Sequence, residues 1–146
     1  MGCHTYVGVR VPIGPDGPTA VGVGTDASAR STTVFNDDPL EIVLVKNPSG
    51  FRLALQSYAS TPAAPMIAIN DNYADGRDMS WLWDVPCDSL QPGVAMIGCS
   101  RAYDMALRLQ YDQVDVSHVV PELSKALGDF IKHSSGKRRI YCTYTA

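Results

Sequence analysis

The chain has 146 residues, of which 45% are hydrophobic, and its formal net charge is −3 at pH 7. That is enough for one globular domain with a full core, and the acidic balance argues against nucleic acid as the main partner. One concentrated basic stretch, Lys137-Arg138-Arg139, precedes a predicted strand, and we expect it to be solvated rather than to bind phosphate. No apolar run has membrane-spanning length, and the N-terminus lacks the pattern of a signal peptide.

The first part of the sequence differs in composition from the rest. Residues 1–40 are rich in Gly, Pro, Ser and Thr. Two short strands are predicted there, over Tyr6–Val11 and Ala20–Gly24, and Ala27–Thr33 has the composition of a flexible connector. We therefore divide the sequence into a segment 1–40, whose role the residues leave open, and a domain 41–146.

Strands and helices alternate after residue 40. The predicted strands are Glu41–Val45, Pro65–Ile69, Gly93–Ile97, Val114–Val119 and Arg139–Thr143. The predicted helices are Gly50–Ala59, Arg101–Tyr111 and Pro121–His133, the last with proline in its first turn. In the first helix, the candidates for packing are Phe51, Leu53, Ala54, Leu55 and Tyr58. The alternation predicts an α/β fold with βαβ units on a largely parallel sheet, where ligands lie beyond the carboxyl ends of the strands.

Two of the three loops at that edge have simple alternative interpretations. Lys46–Gly50 contains a lysine that could meet a phosphate or carboxylate, or it is a capped turn with an exposed lysine. In the loop 98–104, Ser100 is a candidate cap for the following helix. Arg101 and Asp104 lie one helical turn apart and could pair on the surface, which is a weak interaction.

The third loop, Asn70-Asp-Asn-Tyr-Ala-Asp-Gly-Arg-Asp-Met-Ser-Trp-Leu-Trp-Asp84, combines four aspartates with both tryptophans of the chain. Large aromatics among carboxylates indicate a loop that is held rigid and presents charge. The alternative is a structural loop pinned by its own Arg77. A calcium site is rejected because Asp71, Asp75 and Asp78 lack the ligand spacing and the closing glutamate of an EF-hand.

No self-contained catalytic motif is present. The sequence lacks GxxxxGK[ST], GxSxG, HExxH and a GxGxxG after its first strand. His118 is expected in a strand and His133 at a helix terminus, and a Cys–His pair is not favoured. Cys3, Cys87, Cys99 and Cys142 are far apart without a CxxC pair, so we expect reduced, mostly buried thiols, as in the cytoplasm, and no metal site.

Four stretches nevertheless resemble a known family. They are Leu44-Val-Lys-Asn-Pro-Ser-Gly-Phe51, the loop 69–84, Ser100-Arg-Ala-Tyr-Asp-Met-Ala-Leu-Arg-Leu109 and Thr143-Tyr-Thr-Ala146. Together they resemble the C-terminal domain of the MurT family, the Mur-ligase-like subunit of lipid II isoglutaminyl synthase. The resemblance covers residues 40–146 and implies a Rossmann-like α/β domain with a largely parallel sheet and flanking helices.

The resemblance also implies a role in peptidoglycan synthesis at the inner face of the membrane. MurT complexes use ATP, Mg²⁺ and ammonia to amidate the D-glutamate of the lipid II stem peptide. A GatD-type glutaminase subunit supplies the ammonia and docks on this domain, and an aspartate of MurT completes its Cys–His site. Such a carboxylate must be fixed against the imidazole, which it orients.

Site residues follow from the same resemblance. Asp71 is the first candidate for the carboxylate because it lies nearest the strand end, and the others are Asp75, Asp78 and Asp84. The residues expected to face the nucleotide or substrate are Lys46, Asn47, Arg77 and Arg101. The residues expected to dock the partner are Tyr73, Trp81 and Trp83.

The sequence departs from the family pattern in places. Val85-Pro-Cys-Asp88 replaces an acidic and aromatic stretch. The resemblance places the ATP-binding domain outside this sequence, so we expect no cofactor in this domain and no ligase activity from the chain alone. The alternative function is a non-catalytic interaction module on a Mur-ligase-like scaffold.

Overall fold

The computed structural model describes residues 20–24, 30–35 and 38–146, and it describes only the backbone before residue 38. The strands are β1 (Ala20–Gly24), β2 (Arg30–Phe35), β3 (Asp38–Leu44), β4 (Ala64–Ala68), β5 (Gly93–Val94), β6 (Met96–Gly98), β7 (Asp115–Val116), β8 (Val119–Val120) and β9 (Arg138–Cys142). The helices are α1 (Pro48–Tyr58), α2 (Ala102–Tyr111) and α3 (Leu123–His133), with short 3-10 helices at Ser80–Asp84 and Asp88–Leu90. The predicted strand Tyr6–Val11 lies outside the described residues.

The main sheet has the order β1-β2-β3-β9-β4-β6-β8. The five strands from β3 to β8 in that order pair in parallel, and β1 and β2 extend the sheet as antiparallel strands. This confirms the predicted α/β fold with a Rossmann-like parallel sheet. The last strand, β9, is inserted between β3 and β4, so the end of the chain leaves the sheet at its centre.

Helices cover both faces of this sheet. Because side chains alternate along a strand, Ile67 and Tyr141 join the core with α1 and α2, whereas Met66 and Ile140 join the core with α3. Each parallel strand is therefore apolar on both faces, as expected for a sheet between two helical layers.

The first helix is set by its N-terminal turn. Asn47 is its N-cap, and the Asn47 side chain accepts a hydrogen bond from the Gly50 N–H at 2.8 Å. Phe51, Ala54 and Leu55 are buried at the helical spacing. Leu53 is 49% exposed, so its prediction as a packing residue was wrong, because it lies off the buried stripe.

Several element predictions were wrong in detail. Part of the expected connector 27–33 belongs to β2, whose residues pair with β3. The proposed division of the chain into segments 1–40 and 41–146 stays a prediction. The run 93–97 is divided between β5 and β6, because β5 pairs with β7 while β6 pairs with β4 and β8. Likewise 114–119 is divided between β7 and β8, and His118 lies between these strands. Pro121 precedes α3, because Glu122 caps the helix by accepting hydrogen bonds from the N–H groups of residues 124 and 125.

The expectation of a solvated basic stretch was also wrong. Arg138 and Arg139 are each only 3% exposed. Arg139 donates to the buried Glu41 carboxylate at 2.8 Å, and the Lys137 ammonium is 3.0 Å from the same carboxylate. Arg138 donates to the Ser134 hydroxyl at 2.8 Å, at the end of α3. Arg138 and Arg139 are buried because each has an acceptor inside the fold, whereas Lys137 is half-buried.

Candidate functional site

Loops from three strands meet at the carboxyl edge of the parallel sheet. The Arg101 N–H donates to the Ile69 carbonyl at 3.0 Å, which joins the loop after β6 to the end of β4. The Thr143 N–H donates to the Ala68 carbonyl at 3.1 Å, which joins the residues after β9 to the same strand. The predicted convergence of the loop 98–104 with the aspartate loop (residues 70–84) is confirmed. The residues after β9, for which no such position was predicted, lie on the other side of the aspartate loop.

The C-terminal residues hold the first half of the aspartate loop. The Asn70 N–H donates to the Thr143 hydroxyl at 2.9 Å, and the Asn70 amide donates to the Thr145 carbonyl at 2.8 Å. The Thr145 N–H donates to Asp75 at 3.0 Å, and the Thr145 hydroxyl contacts the second oxygen of the same carboxylate. The sequence motifs assign no contact to Thr143 or Thr145. Their position directly after β9 indicates that they lie at the carboxyl edge of the sheet.

Asp71 is fixed by the neighbouring loop. Its Oδ1 accepts the Ser100 hydroxyl at 2.9 Å, and its Oδ2 accepts Arg101 Nε at 3.1 Å with Arg101 Nη2 at 3.0 Å. The Ser100 hydrogen bond, helped by the Arg101 charge, holds the pKa of Asp71 below its usual range. Arg101 also pairs with Asp104 at 3.1 Å, as predicted. The prediction of Ser100 as a helix cap was wrong, because its hydroxyl is used by Asp71 and α2 has no side-chain cap.

The remaining aspartates have different environments. Asp78 is exposed, and its Oδ1 accepts the Ser80 N–H at 2.9 Å, which lowers the pKa of Asp78. Asp84 is exposed at the end of the 3-10 helix Ser80–Asp84. Asp71 is thus the aspartate bonded to polar side chains of the loop after β6, while Asp75 is bonded to the C-terminal residues.

Arg108 anchors the second half of the aspartate loop, which sequence reasoning did not foresee. This buried guanidinium donates to the Leu82 carbonyl at 3.2 Å and to the Val85 carbonyl at 2.7 Å. It also pairs with Asp112 at 2.9 Å. The Arg108 hydrogen bond holds the pKa of Asp112 below its usual value. Arg77, the anchor in the alternative interpretation, instead lies 5.2 Å from the ring centre of the exposed Tyr73.

The two tryptophans have separate roles. Trp81 packs edge-on against the buried Phe51 with ring centres 6.4 Å apart, so it fastens the loop to the core. Trp83 is 47% exposed and its ring centre is 5.1 Å from that of Tyr111 on α2. Tyr103 and Leu107 precede Tyr111 at intervals of four residues and are exposed too. We call Trp83, Tyr103, Leu107 and Tyr111 the aromatic band.

The loop after β3 fits both interpretations that the sequence left open. Asn47 caps α1, so the turn is structural. Lys46 is exposed, and its ammonium lies 5.9 Å from the ring centre of Tyr144. A surface cavity of about 330 Å³ is lined by Lys46, Ala74, Asp75 and Tyr144. Lys46 is therefore an accessible cation beside the aspartate loop.

Other classes of site find no support in the described part of the chain. Within those residues, no group of three or more His, Cys, Asp or Glu side chains could hold a metal ion. In the same residues, none of the helices has the length and apolarity needed to cross a membrane. Cys87, Cys99 and Cys142 are free and buried, and burial raises their pKa values to about 11, 11 and 12. Cys3 lies outside the described residues.

Comparison with known proteins agrees with the sequence resemblance. Residues 44–146 match the family model described as MurT ligase C-terminal. The lipid II isoglutaminyl synthase (glutamine-hydrolyzing) subunit MurT of Staphylococcus aureus (strain COL) is 34% identical over 84 residues, which are 54% of this chain and 19% of that protein. The same subunit of Streptococcus pneumoniae (strain ATCC BAA-255 / R6) is 35% identical over 63 residues, 42% of this chain and 14% of that protein. The matched regions thus cover less than a fifth of either relative.

Proposed function

This chain belongs to the MurT ligase C-terminal family, and from that premise we propose that it acts within an ATP-dependent complex that amidates the D-glutamate of lipid II. In this complex the chain docks a GatD-type glutaminase subunit and contributes a carboxylate to the glutaminase Cys–His site. The relatives named above are subunits of a glutamine-hydrolysing lipid II isoglutaminyl synthase. The complex would act at the inner face of the membrane, where it reaches lipid II.

The observation that carries this proposal is the fixed carboxylate of Asp71 at the carboxyl edge. A carboxylate that orients a catalytic imidazole must be ionised and held in one direction. Ser100 and Arg101 hold both oxygens of Asp71 and lower its pKa. A carboxylate oxygen can accept two hydrogen bonds, so Oδ1 retains capacity for an imidazole N–H from the partner. Asp78 is the second candidate, since it is exposed and hydrogen bonds from Ser80 lower its pKa.

The aromatic band supports docking of a protein beside this carboxylate. Trp83 and Tyr111 are of the residue types enriched at the centres of interfaces. The band runs along α2, whose first turn carries Asp104 next to Arg101. A subunit covering the band would therefore also reach Asp71. Tyr73, exposed in the aspartate loop, is a further residue that we assign to docking.

We assign the residues that would face the other domains of the ligase to the same carboxyl edge of the sheet. Lys46 is exposed and would interact with a phosphate or carboxylate of nucleotide or acceptor, while Asn47 holds the turn that presents it. Arg101 orients Asp71, and the exposed Arg77 would contact substrate or partner. ATP, when bound with Mg²⁺ in the full-length ligase, supplies the energy for amide formation. This sequence has no GxxxxGK[ST] loop of its own for a nucleotide.

Glutamine hydrolysis by the reconstituted pair tests the proposal. A purified GatD-type subunit would be mixed with this chain, and ammonia release would be compared with that of the glutaminase alone. We expect stimulation by the chain, and weaker binding with Trp83→Ala and Tyr111→Ala; Gln56→Ala, on the exposed side of α1, is the matched control. Binding without stimulation would favour the non-catalytic module. Absence of binding would contradict the docking proposal.

A further inference from the structure

The side chain of Asn70 contacts two other loops of the carboxyl edge. Its Oδ1 accepts a hydrogen bond from the Ser100 N–H at 3.0 Å. Its Nδ2 donates to the Thr145 carbonyl at 2.8 Å. A backbone N–H only donates and a carbonyl oxygen only accepts, so these two partners fix which end of the amide faces each loop. The Asn70 side chain therefore joins the loop after β6 to the residues after β9.

The contact with Ser100 bears on the direction of the Asp71 carboxylate. Ser100 donates its hydroxyl to Asp71 Oδ1 at 2.9 Å. Asn70 thus holds the backbone of Ser100, while the side chain of Ser100 holds Asp71. Hydrogen bonds weaken steeply when their distance or angle departs from the favoured geometry. A displaced Ser100 backbone would therefore weaken the hydrogen bond that directs Asp71 Oδ1.

The backbone directly before Ser100 needs such a restraint. Cys99 has a φ of 73°, in the left-handed region that is unfavourable for a residue other than glycine. A conformation of this kind persists only where the surrounding contacts hold the backbone. The hydrogen bond from the Ser100 N–H to Asn70 is one of these contacts. Another is the hydrogen bond from the Arg101 N–H to the Ile69 carbonyl at 3.0 Å.

We propose that Asn70 is a positioning residue for the carboxylate that serves the glutaminase, and that it sets the direction of Asp71 Oδ1 through Ser100. This role rests on the proposed function, because it affects catalysis only where Asp71 faces the imidazole of the partner. Asn70→Ala removes the two side-chain hydrogen bonds. It keeps the main-chain N–H of residue 70, which donates to the Thr143 hydroxyl at 2.9 Å.

Titration of the Asp71 carboxyl in the chain alone tests the positioning without the partner. The signal is the ¹³C chemical shift of this carboxyl, which is assigned by its loss in Asp71→Asn. The Ser100 hydrogen bond is the main reason that the pKa of Asp71 lies below 3.8. Asn70→Ala should therefore raise the pKa of Asp71 toward 3.8, because the Ser100 hydroxyl is no longer held against Oδ1.

Two further variants show whether the effect passes through Ser100. Ser100→Ala should raise the pKa of Asp71 by itself, and adding Asn70→Ala to it should raise this pKa no further, because both changes remove the same hydrogen bond. Asn72→Ala is the matched control, since Asn72 donates to the Thr145 hydroxyl at 3.0 Å, and it should leave the pKa of Asp71 unchanged. An unchanged pKa in Asn70→Ala, or additive shifts in the double variant, would overturn the proposal.

Glutamine hydrolysis by the glutaminase saturated with the chain tests the consequence for catalysis. We expect Asn70→Ala to lower the stimulated rate about tenfold with unchanged affinity for the glutaminase, as loss of one orienting hydrogen bond predicts. Full stimulation by Asn70→Ala, where Asp71→Asn abolishes it, would also overturn the positioning role. Full stimulation by Asp71→Asn would instead refute the proposed function, and the carboxyl titration would still decide whether Asn70 directs Asp71.

Discussion

Arg108 should be one of the main supports of the aspartate loop, and Arg108→Met tests this directly. The substitution removes two charged hydrogen bonds, to the carbonyls of Leu82 and Val85 at 3.2 and 2.7 Å, and the ion pair with Asp112 at 2.9 Å. Val85 is fully buried, so water cannot easily replace the lost donor. Removal of one partner from a buried pair costs about 3–5 kcal/mol. We expect the free energy of unfolding to fall by about that amount.

The change in the free energy of unfolding is measured by urea denaturation, with circular dichroism as the signal. The comparison holds when the variant and the wild type have the same slope of this free energy against urea concentration. Tryptophan fluorescence adds a local readout, because Trp81 and Trp83 are the only tryptophans of the chain. Arg52→Met is the control: Arg52 is exposed on α1, and its Nε donates to the Pro48 carbonyl at 3.3 Å. That change should cost less than about 0.5 kcal/mol. A loss below about 1 kcal/mol for Arg108→Met would refute the assigned role of Arg108.

Three further predictions concern the core, the pH dependence and the thiols. Phe51→Ala should destabilise the fold by about 3–5 kcal/mol, because Phe51 is fully buried. Leu53→Ala, on the exposed side of α1, should cost under about 1 kcal/mol in the same urea titration. Equal losses of stability in the two variants would contradict the assigned core. Asp112 has a lowered pKa in the fold relative to 3.8, so its stabilisation is present above that pH and is lost as the pH falls through the lower folded value. Asp112→Asn should therefore be less stable than the wild type at pH 7, with the difference narrowing below pH 3.8; a constant difference would argue against this linkage. A Cys3→Ser variant leaves Cys87, Cys99 and Cys142 as its thiols. These should react with a thiol reagent at pH 8 only after unfolding, because burial raises their pKa values to about 11, 11 and 12. Rapid labelling of the folded variant would show instead that these thiols are accessible.

The sequence was sufficient for the parallel sheet and its helices, because strands such as 65–69 are continuous apolar runs between turn signals. The sequence was insufficient to predict the strand boundaries where these depend on which strands pair with each other. The run 93–97 has the pattern of one strand, yet β5 and β6 pair with different strands and the run is divided between them. Part of the predicted connector 27–33 is in β2, because pairing with β3 extends the sheet. Such long-range pairing is not encoded in local periodicity.

Charged residues limited the prediction of the site in a similar way. Lys137-Arg138-Arg139 has the sequence of a solvated stretch, but Arg139 is buried by its pairing with Glu41, 98 positions away along the chain. Arg108 likewise has acceptors in the loop 82–85, which the helical pattern of α2 does not indicate. The convergence of Asp71 with Arg101 could be predicted, since both follow parallel strands. Which aspartate acts on the partner stays a prediction.

The most direct test of the proposed function is the rate of glutamine hydrolysis by a GatD-type subunit saturated with this chain or its Asp→Asn variants. Affinity for the glutaminase would be measured in parallel, so that loss of catalysis is separated from loss of docking. We expect Asp71→Asn to bind normally and to lower the stimulated rate by about 10²–10⁴-fold, while Asp78→Asn and Asp84→Asn retain most of it. Full stimulation by Asp71→Asn at saturation would contradict the assignment, and full stimulation by all the aspartate variants, including Asp75→Asn, would contradict the claim that this loop supplies the carboxylate.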